Sequence, residues 1–216
     1  MKRFVVYILF LGTFATVFGK EYADSAIYQG LLLKVDVGNT IFEMTRSKMD
    51  IQSYEMAMSL RLNNRLFPTL EGGYVTATTH ADGGRYEGDG AFLRAGLDIY
   101  PMKGPADQSN ITVGVRYANA LQHYQFKELT TNNLYWNEQQ KTDIPKMFRY
   151  DGWLEIVASL QVQVYKRFYM GWCIRLKILF TDDKKDAWDC VPTYIPGFGY
   201  KETTNYSFNY YIGIKI

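Results

Sequence analysis

This sequence predicts an all-β fold, an eight-stranded antiparallel up-and-down transmembrane β-barrel, and three observations predict it. Eight segments alternate between apolar and polar residues with period two, which gives a strand two chemically different faces. The last of them, Tyr206-Ser-Phe208-Asn-Tyr210-Tyr-Ile212-Gly-Ile214-Lys-Ile216, is an apolar edge that invites aggregation unless another strand seals it. The links between segments alternate between short and long, the pattern of an even-stranded membrane barrel.

Each segment earns its place by its alternation. The first, residues 28–43, sets Leu31, Leu33, Val35, Val37 and Ile41 against Lys34 and Asp36. The second, 51–63, sets Tyr54, Met56, Met58, Leu60 and Leu62 against Glu55, Ser59 and Arg61. The third, 67–79, is oriented by Glu71, which should avoid the apolar face. The fourth, 90–101, opposes Leu93, Leu97 and Ile99 to Arg94, Gly96 and Asp98; the fifth, 110–123, opposes Ile111, Val113, Val115 and Tyr117 to Gly114 and Arg116. In the sixth, 151–165, Leu154, Ile156, Leu160, Val162 and Val164 face away from Glu155, Ser159 and Gln161. In the seventh, 167–181, Met170, Trp172, Ile174, Leu176 and Ile178 face away from Cys173, Arg175 and Lys177. The eighth is the terminal strand, which must meet the first to close the sheet.

Tight turns are expected around Asn64-Arg65 and Lys166, and a modest link over 102–109. The longer connections are expected around 47–50 and over 81–89, 124–150 and 181–203, the last two polar and rich in Asn, Thr, Asp and Lys. Loops of that length are uncommon inside a compact soluble domain.

At the N-terminus, Met1-Lys2-Arg3 is basic, residues 4–18 are largely apolar, and Gly19 precedes Lys20. Residues 1–19 read as a secretory signal peptide, too short to span well as an anchor, which leaves 20–216 as one barrel domain. Loss of Lys2 and Arg3 balances basic against acidic residues, and a net charge near zero argues against a nucleic-acid surface. No later stretch is apolar enough for a transmembrane helix, so residence in a membrane would have to be β. The 18 Tyr, 13 Phe and 4 Trp suit surfaces that are half apolar and half wet.

Alternation does not say which face is outside. A lipocalin-like soluble barrel would put the apolar face inward. Against this, the polar face is rich in small residues and carries charges of both signs, as a crowded lumen requires. Asp36, Glu55, Glu71, Asp98 and Glu155 are thus expected to pair inside with Arg61, Arg94, Arg116, Arg175, Lys177 and Lys215. Tyr165, Phe168 and Tyr169 at the short-turn end, and Tyr117, Phe180, Tyr206 and Phe208 at the other, resemble interfacial girdles.

With these patterns in place, the chain resembles the small bacterial outer-membrane β-barrel proteins of the OmpX/OmpA-barrel type, from about residue 27 to 216. Pro68-Thr-Leu-Glu71-Gly-Gly-Tyr74 is similar to strand starts of that family, and the terminal strand looks like the signal read by the barrel-assembly machinery. The chain departs from the family by ending in Ile216 rather than an aromatic residue. The resemblance implies a monomer in outer-membrane lipid, with both termini periplasmic and a structural or surface-interaction role.

Chemistry is sparse. Outer-membrane lipid A deacylases, which resemble the chain in size and fold, use a His with a Ser two residues on, whereas His123 is followed by Tyr124 and Gln125. Palmitoyl transferases of that membrane use a loop-side His with Asp and Ser, and His80 with Asp82 is the nearest imitation here. No catalytic, cofactor-binding or metal residues are therefore assigned; a lipid-modifying enzyme and a small pore stand as the alternatives. An eight-stranded lumen has room for side chains and little more, so the charges read as a plug rather than a conducting path. The stretches 127–146 and 182–201 carry Trp136, Trp188, Tyr194 and Phe198 and read equally as surfaces for a ligand or as solvated loops. After export, Cys173 and Cys190 would meet an oxidising compartment, with a disulfide and two unpaired thiols both open.

Overall fold

The computed structural model describes residues 28–38, 49–62, 65–81, 84–102, 109–133, 138–180 and 193–216. The expected signal peptide, together with Asp82, Trp136, Trp188 and Cys190, lies outside the described residues. Period-two alternation produces β1 (Tyr28–Asp36), β2 (Met49–Leu62), β3 (Leu66–Ala81), β4 (Gly84–Ile99) and β5 (Ser109–Asn133). The chain continues through β6 (Glu138–Tyr165), β7 (Phe168–Leu179), the short β8 (Tyr194–Ile195) and β9 (Gly199–Tyr200), and β10 (Thr204–Lys215).

The eight long strands form one antiparallel sheet that closes on itself in the order β1-β10-β7-β6-β5-β4-β3-β2, while β8 and β9 pair only with each other. β10 joins β1 from Leu32↔Lys215 to Asp36↔Tyr211. Leu31 and Ile216 extend that seam by exchanging backbone hydrogen bonds of 3.1 and 2.8 Å. The terminal strand is thus sealed as its exposed edge requires.

The outward face is apolar: Val35, Met56, Leu93, Val115, Ile156, Ile174, Phe208 and Ile212 are all exposed. The inward face buries Glu55, Glu71, Arg94, Arg116, Glu155 and Arg175. A soluble barrel has the reverse arrangement.

Toward the end opposite the tight turns, this polarity inverts. On β3, Leu70 and Tyr74 point outward, but the outward positions beyond them are Thr76, Thr78 and His80, while Val75 and Ala77 are buried inside. On β4 the outward face changes from Leu93 and Ala91 to Asp89, Glu87 and Arg85, and the inward face from Arg94 to Phe92 and Tyr86. On β5, Leu121 gives way to His123, Gln125 and Lys127, with Ala118, Ala120 and Phe126 inside. On these three strands the outward face changes at one register step, because Thr76, Asp89 and His123 are successive cross-strand partners, while Phe148, opposite His123 on β6, is still apolar and exposed. Past it the wall is built like an ordinary soluble sheet, apolar in and polar out.

Several connections differ from expectation for this reason. Residues 84–89 and most of 124–150 are strand rather than loop: β4 pairs with β3 back to Ala81↔Gly84, and β5 pairs with β6 out to Asn133↔Glu138. His80 lies within β3, not in a connection. Beyond Lys127 the β5–β6 pair continues without β4, and β6 gains β7 only from Trp153, so a two-stranded ribbon projects from the ring. The ribbon is kinked by register shifts between Tyr124 and Leu129, where Glu128 adopts a φ of 52° and its N–H is accepted by Asp143 Oδ1 at 2.8 Å. The first strand is described only to Asp36, not 43. Tyr169, expected in a girdle, points inward and is buried.

Candidate functional site

All eight strands of the ring send a polar side chain to one level of the lumen. Glu71 on β3 is the hub. It accepts from Arg94 at 3.2 Å, from Arg175 at 2.8 Å and from Arg116. Arg94 on β4 also pairs with Glu55 on β2 at 2.6 Å and with Glu155 on β6 at 3.0 Å. Arg175 on β7 reaches Glu155 at 3.0 Å and Glu55 at 3.4 Å, and its Nε–H donates to Asn209 on β10 at 3.0 Å. The Asn209 amide donates in turn to Asp36 on β1. Arg116 on β5 holds Asp98 at 2.9 Å, and Thr69 donates to the same carboxylate oxygen at 3.3 Å.

Small residues make the crowding tolerable. A Cβ on Gly114 would lie 1.9 Å from Asp98 Oδ1, so only glycine leaves that carboxylate its place beside Arg116. Charges buried this deeply persist only when paired and hydrogen-bonded. Here each guanidinium meets at least two acceptors. A cavity of about 20 Å³ lies between these side chains and one of about 30 Å³ lies on the short-turn side of Asp98, each of a size for one or two water molecules.

Above the charges sits an apolar cap that the sequence does not announce. The hairpin β8–β9 turns back into the mouth and buries Ile195 and Phe198 among Val75, Phe92, Ala118, Ala120, Trp153 and Leu179. Phe198 meets Trp153 edge-on with centroids 5.6 Å apart. The cap is tied to the network below. Lys177 donates to the carbonyls of Gly197 at 2.7 Å and Phe198 at 3.1 Å, Arg94 donates to Gly197 O at 2.8 Å, and Trp153 donates to Glu155 at 2.7 Å. Gly197 takes a φ of +76°, and a Cβ there would press on the Phe92 ring at 2.6 Å. Tyr194 and Phe198, expected in an external loop, therefore do not form an outer anchor: Phe198 is inside, and Tyr194 packs against the apolar residues at the mouth.

The remaining predicted residues fall elsewhere. Lys177 serves the cap, while Arg61 and Lys215 line the opposite mouth at the short-turn end. Lys34 lies over the Tyr211 ring at 4.9 Å. His80 is exposed on the outer face of β3. His123 is exposed on β5, its ring tilted against that of Phe148 with centroids 5.2 Å apart, and opposite Asp89, which is engaged by Tyr74 at 3.2 Å and Lys146 at 3.1 Å. Among the described residues, no group of three or more His, Cys, Asp or Glu is placed to hold a metal ion. On the polar part of the outer wall, the hydrogen bond from Lys127 holds the Glu87 carboxyl below the usual carboxylate range.

Cys173 is a free thiol buried in the lumen wall between Ser159 and Asn209, its cross-strand partners. In a Cys190→Ser variant, maleimide should leave the folded protein unlabelled and react only after boiling in detergent. Labelling of the unheated protein would contradict the burial of Cys173.

No curated protein matches the chain. Over residues 1–216 it matches the model of a domain of unknown function, DUF6048, and it belongs to that family.

Proposed function

We propose that the protein is an integral outer-membrane β-barrel with a closed lumen, acting through structure and through the wall and ribbon that project past its apolar belt rather than by catalysis. The inversion of polarity along β3, β4 and β5 carries this reading. On these three strands apolar side chains point outward below one register step and give way to polar ones above it, as in a sheet that passes from lipid into water. The outward run on β10 from Tyr206 to Ile216 fits the same medium. About ten intervals of ~3.3 Å, tilted by ~40°, rise about 25 Å, the height of an outer-membrane apolar band. Contiguous apolar surface on this scale would drive a water-soluble monomer to aggregate.

The short turns would face the periplasm and the ribbon the exterior, with insertion depending on the barrel-assembly machinery. The ribbon, bearing Glu128, Lys141 and Asp143, and the wall at its base, bearing Lys127 and Lys146, are the surface offered to a ligand outside the cell. The expected result is fractionation with the outer membrane and faster gel migration of the unheated than of the boiled sample. Release by urea and salt, with no heat-dependent shift, would overturn the reading.

A further inference from the structure

The end with the tight turns opens as a funnel of about 720 Å³ lined by Arg61, Gln163, Lys166, Arg167, Tyr169, Lys215 and Ile216. Four of these side chains are cationic, and none of the described lining residues has an acidic side chain. Asp98, which lines the cavity beneath, is held by Arg116 at 2.9 Å. Elsewhere in the lumen cations and carboxylates alternate; among the described side chains that line this mouth every charge is positive, and the Ile216 carboxylate at the end of the chain is the counter-charge. In the turns and strand ends around it, Arg65 adds a further cation.

The cations stand on fixed backbone. The Lys215 N–H donates to Arg167 O at 2.8 Å, tying the end of β10 to the β6–β7 turn. The Gln163 side chain donates to Lys166 O across the same turn, where Lys166 has a φ of 41°. Lys215 also needs the missing side chain of Gly30, since a Cβ there would lie 2.8 Å from Lys215 Cε; Gly30 has a φ of +135°. Arg61, Tyr169 and Lys215 reach past the funnel to line the cavity of about 30 Å³ beneath it.

We infer that this funnel is a binding site for a phosphate-class oxyanion, either a free phosphate or the headgroup of a phospholipid. Several converging cations with no acidic lining side chain suit a multivalent oxyanion better than a single carboxylate, and the Arg61 and Arg167 forks match phosphate oxygens in pairs. The site does not depend on what surrounds the outer face, so it stands or falls separately from residence in a membrane.

The test uses the full chain purified in a maltoside detergent. Inorganic pyrophosphate should bind saturably in calorimetry, acetate should not, and Lys215→Gln and Arg61→Gln should each weaken binding about tenfold or more. Arg167→Gln, in an exposed turn, gives the same readout without risk to folding. Gly30→Ala should also weaken binding, because it displaces the Lys215 amine while leaving every charge in place. Competition by phosphatidylglycerol but not phosphatidylcholine vesicles would identify a lipid headgroup as the source; pyrophosphate binding without that competition would identify a free phosphate. Absence of saturable pyrophosphate binding, or affinity unchanged in Lys215→Gln and Arg167→Gln, would overturn the inference.

Discussion

Glu71→Gln should destabilise the barrel by about 3–5 kcal/mol, because it leaves buried guanidiniums without the charge that holds them together. Glu71 serves three arginines on three different strands, at 3.2 Å to Arg94, 2.8 Å to Arg175, and also to Arg116. A glutamine of the same shape turns an NH2 toward at least one of these donors. The change should appear as loss of the compact unheated gel band at lower urea than for the parent. The exposed pair Lys141–Glu128, 3.0 Å apart with Glu128 71% exposed, is the control: Glu128→Gln should cost under about 1 kcal/mol. Equal effects of the Glu71 and Glu128 substitutions would show that the lumen charges are not what holds the ring.

Phe198→Ala should cost about 3–5 kcal/mol, borne locally by the cap. The ring fills the space between Trp153 and the apolar wall, and little else can collapse into its place. Amide hydrogen exchange over residues 194–200 should accelerate, and Trp153 emission should shift to the red as water reaches the mouth. The β-ring beneath, closed by its own hydrogen bonds and ion pairs, should keep its heat-dependent gel shift. Unchanged exchange in the hairpin would mean that Phe198 is not the residue that seats it.

Where one phase of alternation persists, the strands could be read from sequence. Leu154 to Val164 or Met170 to Ile178 present one unbroken apolar face, and both lie in strand as expected. The reading failed where the phase reverses. Thr76 and Thr78, or His123 and Gln125, occupy outward positions that had been apolar a few residues earlier, so the apolar alternation ends while the strand continues. The β5–β6 ribbon was hidden further by Pro145 and by the bulge near Glu128, both of which read as loop signals. The charged lumen was legible because Arg and Glu recur on the polar face of strand after strand. The cap was not, since Ile195-Pro-Gly-Phe198 is an ordinary turn until the tertiary fold supplies Trp153 and Phe92 as its partners.

The sharing of one network, ion-paired across β2 to β7 and hydrogen-bonded on to β10 and β1, has a consequence for how such a chain would be assembled. A strand carrying Arg94, Arg116 or Arg175 that entered an apolar bilayer alone would face a penalty of about 2.5–3.5 kcal/mol for its charge. Each of those arginines finds its carboxylates on other strands, and Glu71 lies 104 residues from Arg175 in sequence. On the membrane reading proposed above, stepwise insertion is uphill at nearly every step, and the charges are neutralised only once β2 to β7 have come together. Such a chain is expected to cross the threshold of assembly in a concerted manner, with few half-built forms at equilibrium.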